Sequence, residues 1–301
     1  MINPQISIII CTYNRQSFLP GALNSLVHQT VPPENYEIII VNNNSTDNTE
    51  RISFSFIESN SNLNVKYFVE INRGLSSARN RGIKESSSEL VAFIDDDAEV
   101  PNDYIETALD FFKKNPGIDA IGGKIIPVYE TGNEPEWLSK PLWGLVTKVD
   151  WGNQTRKYPL GKYPAGCSMI FRKKIFKVTG TFNTNLFLRS DDKHIFSQLR
   201  AANKLFLYHP KLIVKHHIAA NRVTLQSAKK ISLSVGGSER VRLQHSGTLK
   251  KFLKIIEYIF KLAAALIMAI GFSLKFQFKK AEYIVRNRWY TLLGYFITRF
   301  K

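Results

Sequence analysis

Four short apolar, β-branched runs fill the first hundred residues, at 6–11, 36–41, 65–69 and 90–94, and each ends in a polar cluster followed by a helix-like stretch. Uninterrupted apolar runs of this length read as strands buried on both faces, the kind found in parallel sheets whose crossover helices cover both sides. Ser17 can cap a helix through about Gln29, Asp47 can cap a short second one, and 76–85 reads as a third. Pro101 stands where a first-turn proline opens a helix ending near Asn115. The alternation predicts an α/β fold with a mostly parallel sheet flanked by helices.

Further on, a strand over 120–127 leads into 130–152, a stretch rich in Pro, Gly and Trp with no clear period, which reads as a mobile loop or an inter-lobe connection. The pattern then resumes: a strand over 166–172, a short helix from Lys173, a loop ending at Ser190-Asp191-Asp192, a helix to about Asn203, and strands at 205–208 and 212–215. From Thr224 the chain turns to long helical stretches low in acids. These shifts predict an α/β domain over 1–225, with halves 1–128 and 129–225, and a helical tail over 226–301. Hydrophobic residues make up 44% of the 301, which excludes a disordered, collagenous or coiled-coil chain. Cys11 and Cys167 lie in apolar runs without CxxC spacing, so neither a disulfide framework nor a thiolate zinc site is expected. Met1 to Gln5 shows no signal-peptide pattern, and a cytoplasmic location is the expectation.

Ligands of an open α/β sheet bind at the carboxyl ends of its strands, where helix N-termini and free backbone amides converge. Here those ends carry Thr12-Tyr13-Asn14-Arg15, then Asn42-Asn43-Asn44-Ser45-Thr46-Asp47, then Asn72-Arg73-Gly74, then Asp95-Asp96-Asp97. Taken singly, each is explained by turn chemistry. The acidic triplet is the sharpest, because three adjacent carboxylates at a buried strand's exit repel one another unless a cation or hydrogen-bond donors offset them. Oxygen ligands of this kind suit Mg²⁺ or Mn²⁺, above all when a diphosphate completes the shell. No GxxxxGK[ST] or GxGxxG follows any strand, which removes the main support for a P-loop or dinucleotide fold.

The segments 8–15, 41–47, 74–82 (Gly-Leu-Ser-Ser-Ala-Arg-Asn-Arg-Gly) and 93–97 (Phe-Ile-Asp-Asp-Asp), in this order, resemble the successive motifs of family 2 glycosyltransferases with the Rossmann-like GT-A fold. The resemblance covers about 1–225. It implies inverting transfer of a sugar from a nucleotide diphosphate sugar, with Mn²⁺ or Mg²⁺ on the diphosphate and UDP as the commoner donor nucleotide. It places Thr12, Tyr13, Asn14 and Arg15 around the base, Asn42 and Asn43 at its edge, Arg79 on the base or diphosphate, and Asp95 on the ribose with Asp96 beside it. Asp97 becomes the metal ligand of the DxD motif, and His217 or its neighbour His216 completes the metal shell. Asp192, preceded by Asp191, falls in the general-base position, at the end of a segment starting near Phe182. Three departures stand out: Asn42 where an acid is common, Asp191 where Glu is usual, and Ser168 where Asn is common.

Inverting displacement needs a base beside the acceptor hydroxyl and a cation on the leaving diphosphate, roles that Asp192 and Asp97 fill in this reading. From spacing alone, Asp191-Asp192 also fits a helix N-cap pair. Trp137, Trp143 and Trp151 fit either an acceptor-side wall, since aromatic faces stack on sugars, or core packing. A catalytically idle scaffold that binds sugar nucleotide or glycan is the alternative from another functional class.

Charge divides the chain unevenly: residues 1–150 hold 12 Lys/Arg against 20 Asp/Glu, whereas 151–301 hold 29 against 5. In the tail, Lys250, Lys254, Glu257 and Lys261 fall on one helical face among apolar residues, and Lys275, Lys279, Glu282 and Arg286 repeat the arrangement. The longest uncharged run, 262–274, is short of the ~20 residues a helix needs to span a bilayer, so the expected partner of 250–301 is an anionic membrane surface, met by an in-plane helix. Trp289, Tyr290, Tyr295 and Phe296, with Arg286, Arg288, Arg299 and Lys301, fit the interfacial zone. Packing on the catalytic domain or a second subunit is the competing reading. No RNP-like or helix-turn-helix signal is present, so nucleic acid is not an expected partner. The expected acceptor is a glycan or a lipid-linked sugar, reached from the inner face of the cell membrane.

Overall fold

The computed structural model describes residues 4–186 and 190–297, which form two compact units. The first unit comprises 4–126, 149–184 and 191–217. Its elements begin with β1 (Ile6–Thr12), α1 (Leu19–Asn24), β2 (Tyr36–Asn42), α2 (Thr49–Ser59), β3 (Val65–Val69), α3 (Leu75–Glu85), β4 (Leu90–Asp95), β5 (Ala98–Glu99) and α4 (Tyr104–Lys114). They continue with β6 (Ala120–Tyr129), β7 (Arg156–Lys157), β8 (Met169–Arg172), α5 (Phe176–Thr179), α6 (Asp191–Ala201) and β9 (Phe206–Ile218).

The sheet runs in the order β3-β2-β1-β4-β8-β6-β9-β5, with β7 attached to β9. As expected, β1 to β4 are parallel. The other half is antiparallel, β8 pairing with both β4 and β6, and β9 with β5 and β7, so the sheet as a whole is mixed. Two apolar cores follow from the two-residue period of a strand. Ile6, Ile8 and Ile10 face one core with Leu19, Leu23, Tyr104 and Phe111, while Ile9 faces the other with Ala78, Phe93, Phe171 and Ile195. Burying each such isoleucine contributes about 1.5–3 kcal/mol. On α3, a Cβ at Gly82 would sit 2.4 Å from Ile9 Cγ2, so the glycine of the 74–82 motif lets the helix lie close against β1.

The second unit comprises 127–148, 185–186, 190 and 218–297. Its helices are α7 (Leu225–Arg242), α8 (Thr248–Ser273) and α9 (Phe278–Phe296), with the Thr224 hydroxyl accepting from the Ser227 amide to start α7. In this unit, residues 127–148 pack with the C-terminal helices. Trp137 stacks on Tyr283 with ring centres 4.6 Å apart, and its indole N–H donates to Val223 O at 2.9 Å. Leu142, Leu145 and Val146 join Ile231, Ala265 and Ile284 in the same core.

α8 differs from the in-plane expectation in one respect. It is 26 residues long, about 39 Å at 1.5 Å per residue, and is long and apolar enough by composition to cross a membrane. Of its charged residues, Lys254 is largely buried and pairs with the buried Glu239 at 3.3 Å and with Glu257 at 2.5 Å, while Lys250 and Lys261 are exposed, Lys261 pairing with Glu257. Its outward face carries Leu249, Phe252, Leu253, Phe260, Ile267 and Ile270. Arg299 and Lys301, expected at an interface, lie outside the described residues.

Candidate active site

The polar strand ends expected to bind ligand meet along the carboxyl edge of β1, β2 and β4, where side chains latch successive loops together. Asn14 adopts a left-handed backbone (φ 52°), accepts from the Thr46 amide at 2.7 Å, and donates its own amide to Ser45 Oγ at 3.0 Å. Asp47 accepts from the amides of Gln16 and Thr49, both at 3.0 Å. Asn42 donates to the Tyr67 hydroxyl and accepts from the Ser45 amide, both at 2.8 Å. Asn43 donates to Glu70 O and Asn72 O and accepts from the Gly74 amide. Gly74 has φ 129°, a conformation that a residue with a Cβ reaches only under strain. The two asparagines therefore shape the rim, and Tyr13, 42% exposed with Arg73 over its ring at 5.4 Å, presents an open aromatic face. Thr12 is buried at the end of β1.

The acidic triplet sits at the turn between β4 and β5. The register of β5 against β9 sets Ala98 opposite His216, which carries the imidazole to the carboxylates. Asp95, Asp97 and His216 each offer one ligand atom within 4.8 Å of the others, and His216 Nε2 is 3.1 Å from Asp97 Oδ1. Of the two candidate histidines, His216 lies in this group, whereas His217 lies on the other face of β9, 2.9 Å from Glu99 Oε1. Strand alternation is the reason, since Leu212, Val214, His216 and Ile218 all point inward. That pattern of apolar residues at every second position is a signal the sequence already contains.

Arg79, expected at the base or diphosphate, lies at the acidic triplet. Its buried guanidinium bridges Asp95 Oδ1, at 3.2 Å, and the Asp191 carboxylate, and lies 5.8 and 5.4 Å from the ring centres of Phe93 and Phe182. Asp191 is thereby taken up in an ion pair that ties the first turn of α6 to the acidic triplet. Asp192 is half-buried beside it, its Oδ1 accepting from the Lys193 amide at 2.6 Å. Residues 187–189 of the loop leading to Asp192 lie outside the described residues. The Ser168 hydroxyl accepts from the Gly123 amide at 3.1 Å.

Burial, reinforced by Asp97, pushes the Asp96 carboxyl up to about 7 against the opposing pull of Arg15. Burial likewise raises Asp95 despite Arg79, and raises the Cys11 thiol at the end of β1, so that sulfur is no nucleophile. A divalent cation held here would favour the ionised form of these carboxylates, because metal ligands must be deprotonated. Two carboxylates and one imidazole, with no hydrogen-bond partner for His216 Nδ1 among the described residues, form a donor set that fits Mn²⁺ or Mg²⁺. The three tryptophans fall in two units. Trp137 is only 5% exposed and belongs to the core of the second unit, Trp143 lies beside Lys140 and Lys148 in that unit, and Trp151 packs on the second core of the first unit.

The profile of the family described as Glycosyl transferase family 2 matches residues 7–179, more than half of the chain. Among curated relatives, a glucosyl-dolichyl phosphate glucuronosyltransferase of Haloferax volcanii is 28% identical over 193 residues, covering 64% of this chain and 59% of the relative. A poly-beta-1,6-N-acetyl-D-glucosamine synthase of Staphylococcus epidermidis is 35% identical over 189 residues, covering 60% of this chain and 42% of the relative. The chain thus spans well under two thirds of either protein. Of solved structures, the mannosyltransferase PcManGT of Pyrobaculum calidifontis, in complex with GDP-Man and Mn²⁺, superposes with a TM-score of 0.66 at 16% identity, over 96% of this chain and 87% of that one. S. aureus TarS in complex with UDP-GlcNAc gives 0.59 at 16% identity, over 97% and 89%. The parallel half-sheet, the acidic turn at its carboxyl edge and these likenesses together make the chain a GT-A protein of the family 2 glycosyltransferases.

Proposed function

We propose that the chain transfers a sugar with inversion from a nucleotide diphosphate sugar, UDP-sugars foremost, to a glycan or lipid-linked acceptor, using Mn²⁺ or Mg²⁺. The observation that carries this reading is the convergence of Asp95, Asp97 and His216 at the carboxyl edge of the parallel strands. A bound divalent ion would supply charge neutralisation for the departing diphosphate. The chain's own groups do the rest. Tyr13, Asn42 and Asn43 shape the pocket for the base, and Asp95 and Asp96 border the ribose. Asp192 accepts the proton of the attacking hydroxyl, and the Arg79–Asp191 pair fixes the start of α6 so that this carboxylate is held in place. Aromatic α9 residues and the outward apolar face of α8, with Lys250, Lys275 and Lys279 exposed near it, attach the enzyme to the anionic inner surface of the membrane.

The test is a thermal-shift panel of UDP, GDP, dTDP and CDP, each with and without Mn²⁺. Ligand at 100 times its dissociation constant stabilises by about 2.7 kcal/mol, and the shift should need Mn²⁺ and vanish in Asp97→Ala. A folded wild-type sample that responds to none of the four nucleotides would overturn the reading.

A further inference from the structure

The acidic triplet is balanced by two arginines held in opposite ways. Arg79 is 2% exposed, bonded to two carboxylates and flanked by two rings, so it has one position. Arg15 comes from the turn after β1, is about one third exposed, and touches a single ring, Phe18, at 5.4 Å. Its Nη2 is 3.3 Å from Asp97 Oδ2, and its Nε is 3.8 Å from Asp96 Oδ1. The two oxygens of Asp97 are thus shared: Oδ1 faces His216 and Oδ2 faces Arg15. A guanidinium occupies one side of the carboxylate on which the divalent ion depends.

We propose that Arg15 is a displaceable counter-ion of Asp97, seated on the carboxylate when the site holds no metal and passing to the diphosphate when donor arrives, so that metal and nucleotide bind as a coupled pair. This rests on the nucleotide-sugar reading above and deepens it. A dication entering alone must settle beside a guanidinium a few ångströms away, where like charges repel by about 1 kcal/mol or more even at high effective dielectric. A diphosphate removes that penalty, because its paired oxygens match the fork of a guanidinium better than a carboxylate already shared with a metal does. The backbone around Arg15 stays put during the exchange, since Asn14 and Gln16 are pinned by the 45–48 loop, so only the side chain needs to swing. Linkage then requires that metal strengthen nucleotide binding by the factor by which nucleotide strengthens metal binding.

Mn²⁺ affinity, read from the paramagnetic signal of free Mn²⁺, tests this for wild type, Arg15→Gln and Arg15→Lys, each alone and with saturating UDP or GDP. Arg15→Gln should bind Mn²⁺ alone about tenfold more tightly than wild type, and the gain on adding nucleotide should shrink by about the same factor. Arg15→Lys, which keeps the charge, should stay close to wild type. Equal or weaker Mn²⁺ binding by a folded Arg15→Gln, with wild type still showing nucleotide-dependent Mn²⁺ uptake, overturns the role of Arg15 and leaves the donor-site reading standing. No Mn²⁺ uptake by folded wild type or either variant, with or without nucleotide, overturns both.

Discussion

Replacing Arg79 by alanine strands Asp95 and Asp191 around a buried gap, and breaking a pair of this kind costs about 3–5 kcal/mol. A fall of that size in urea-unfolding free energy is expected. Asp192→Asn should behave oppositely: thermal stability and the nucleotide-dependent shift are kept, while turnover drops by roughly 10²–10⁴, the usual worth of a positioned base. Wild-type turnover in Asp192→Asn would remove it from the mechanism. Glu37 offers a residue-scale test of pH dependence far from the nucleotide edge. Burial works against its charge, but Lys66 at 2.6 Å and hydrogen bonds from Ser7 and Ser87 outweigh it and hold the carboxyl below its ordinary value. A depressed carboxyl adds stability above its unfolded pKa and loses it as pH falls through the folded one. Wild type should therefore lose stability below about pH 4.5 in part through this group, and Glu37→Gln should flatten that limb while lowering stability at pH 7.

At the scale of elements, the crossing of α7 and α9 depends on two glycines. A Cβ at Gly236 would lie 2.1 Å from Thr291 O, and one at Gly294 would lie 2.2 Å from Leu233 O, so backbones meet where no side chain fits. Gly236→Ala should cost about 1–3 kcal/mol by overpacking, whereas Gly117→Ala, with open space at its Cβ, should change the melting temperature little. Strands β1 to β4 are legible in the sequence to within a residue, because each apolar run has sharp ends; β1, β2 and β4 are buried on both faces, while the edge strand β3 is half-buried. β9 is less so: the sequence suggests two strands around Pro210, and the structure shows one. Pro210 falls between the residues that pair with β7 and those that pair with β5, so its missing N–H removes no bond to either. The same strand's alternation decides between His216 and His217, which the motif alone leaves open. The Arg79–Asp191 pair has no local signal at all, because the partners lie 112 positions apart and only the tertiary fold joins them.

For the molecule as a whole, the expectation is binding to anionic vesicles through α8. Flotation with phosphatidylserine-containing liposomes should carry the protein upward, and Phe252→Asp with Ile267→Asp should leave it at the bottom while sparing the Mn²⁺-dependent nucleotide shift. A double variant that floats as well as wild type would show that the outward face of α8 is not the point of attachment. The uncharged run 262–274 understates the length of α8 because the helix extends back through Lys250, Lys251, Lys254, Glu257 and Lys261, all in its first 14 residues. The pairing of β5 with β9 has a further consequence, in the order of synthesis. Asp95 and Asp97 leave the ribosome more than a hundred residues before His216, and the strand that brings the imidazole alongside them is the last of the sheet. A growing chain thus carries the two carboxylates without the imidazole for about 120 residues of synthesis, and the three groups come together only as the α/β unit closes.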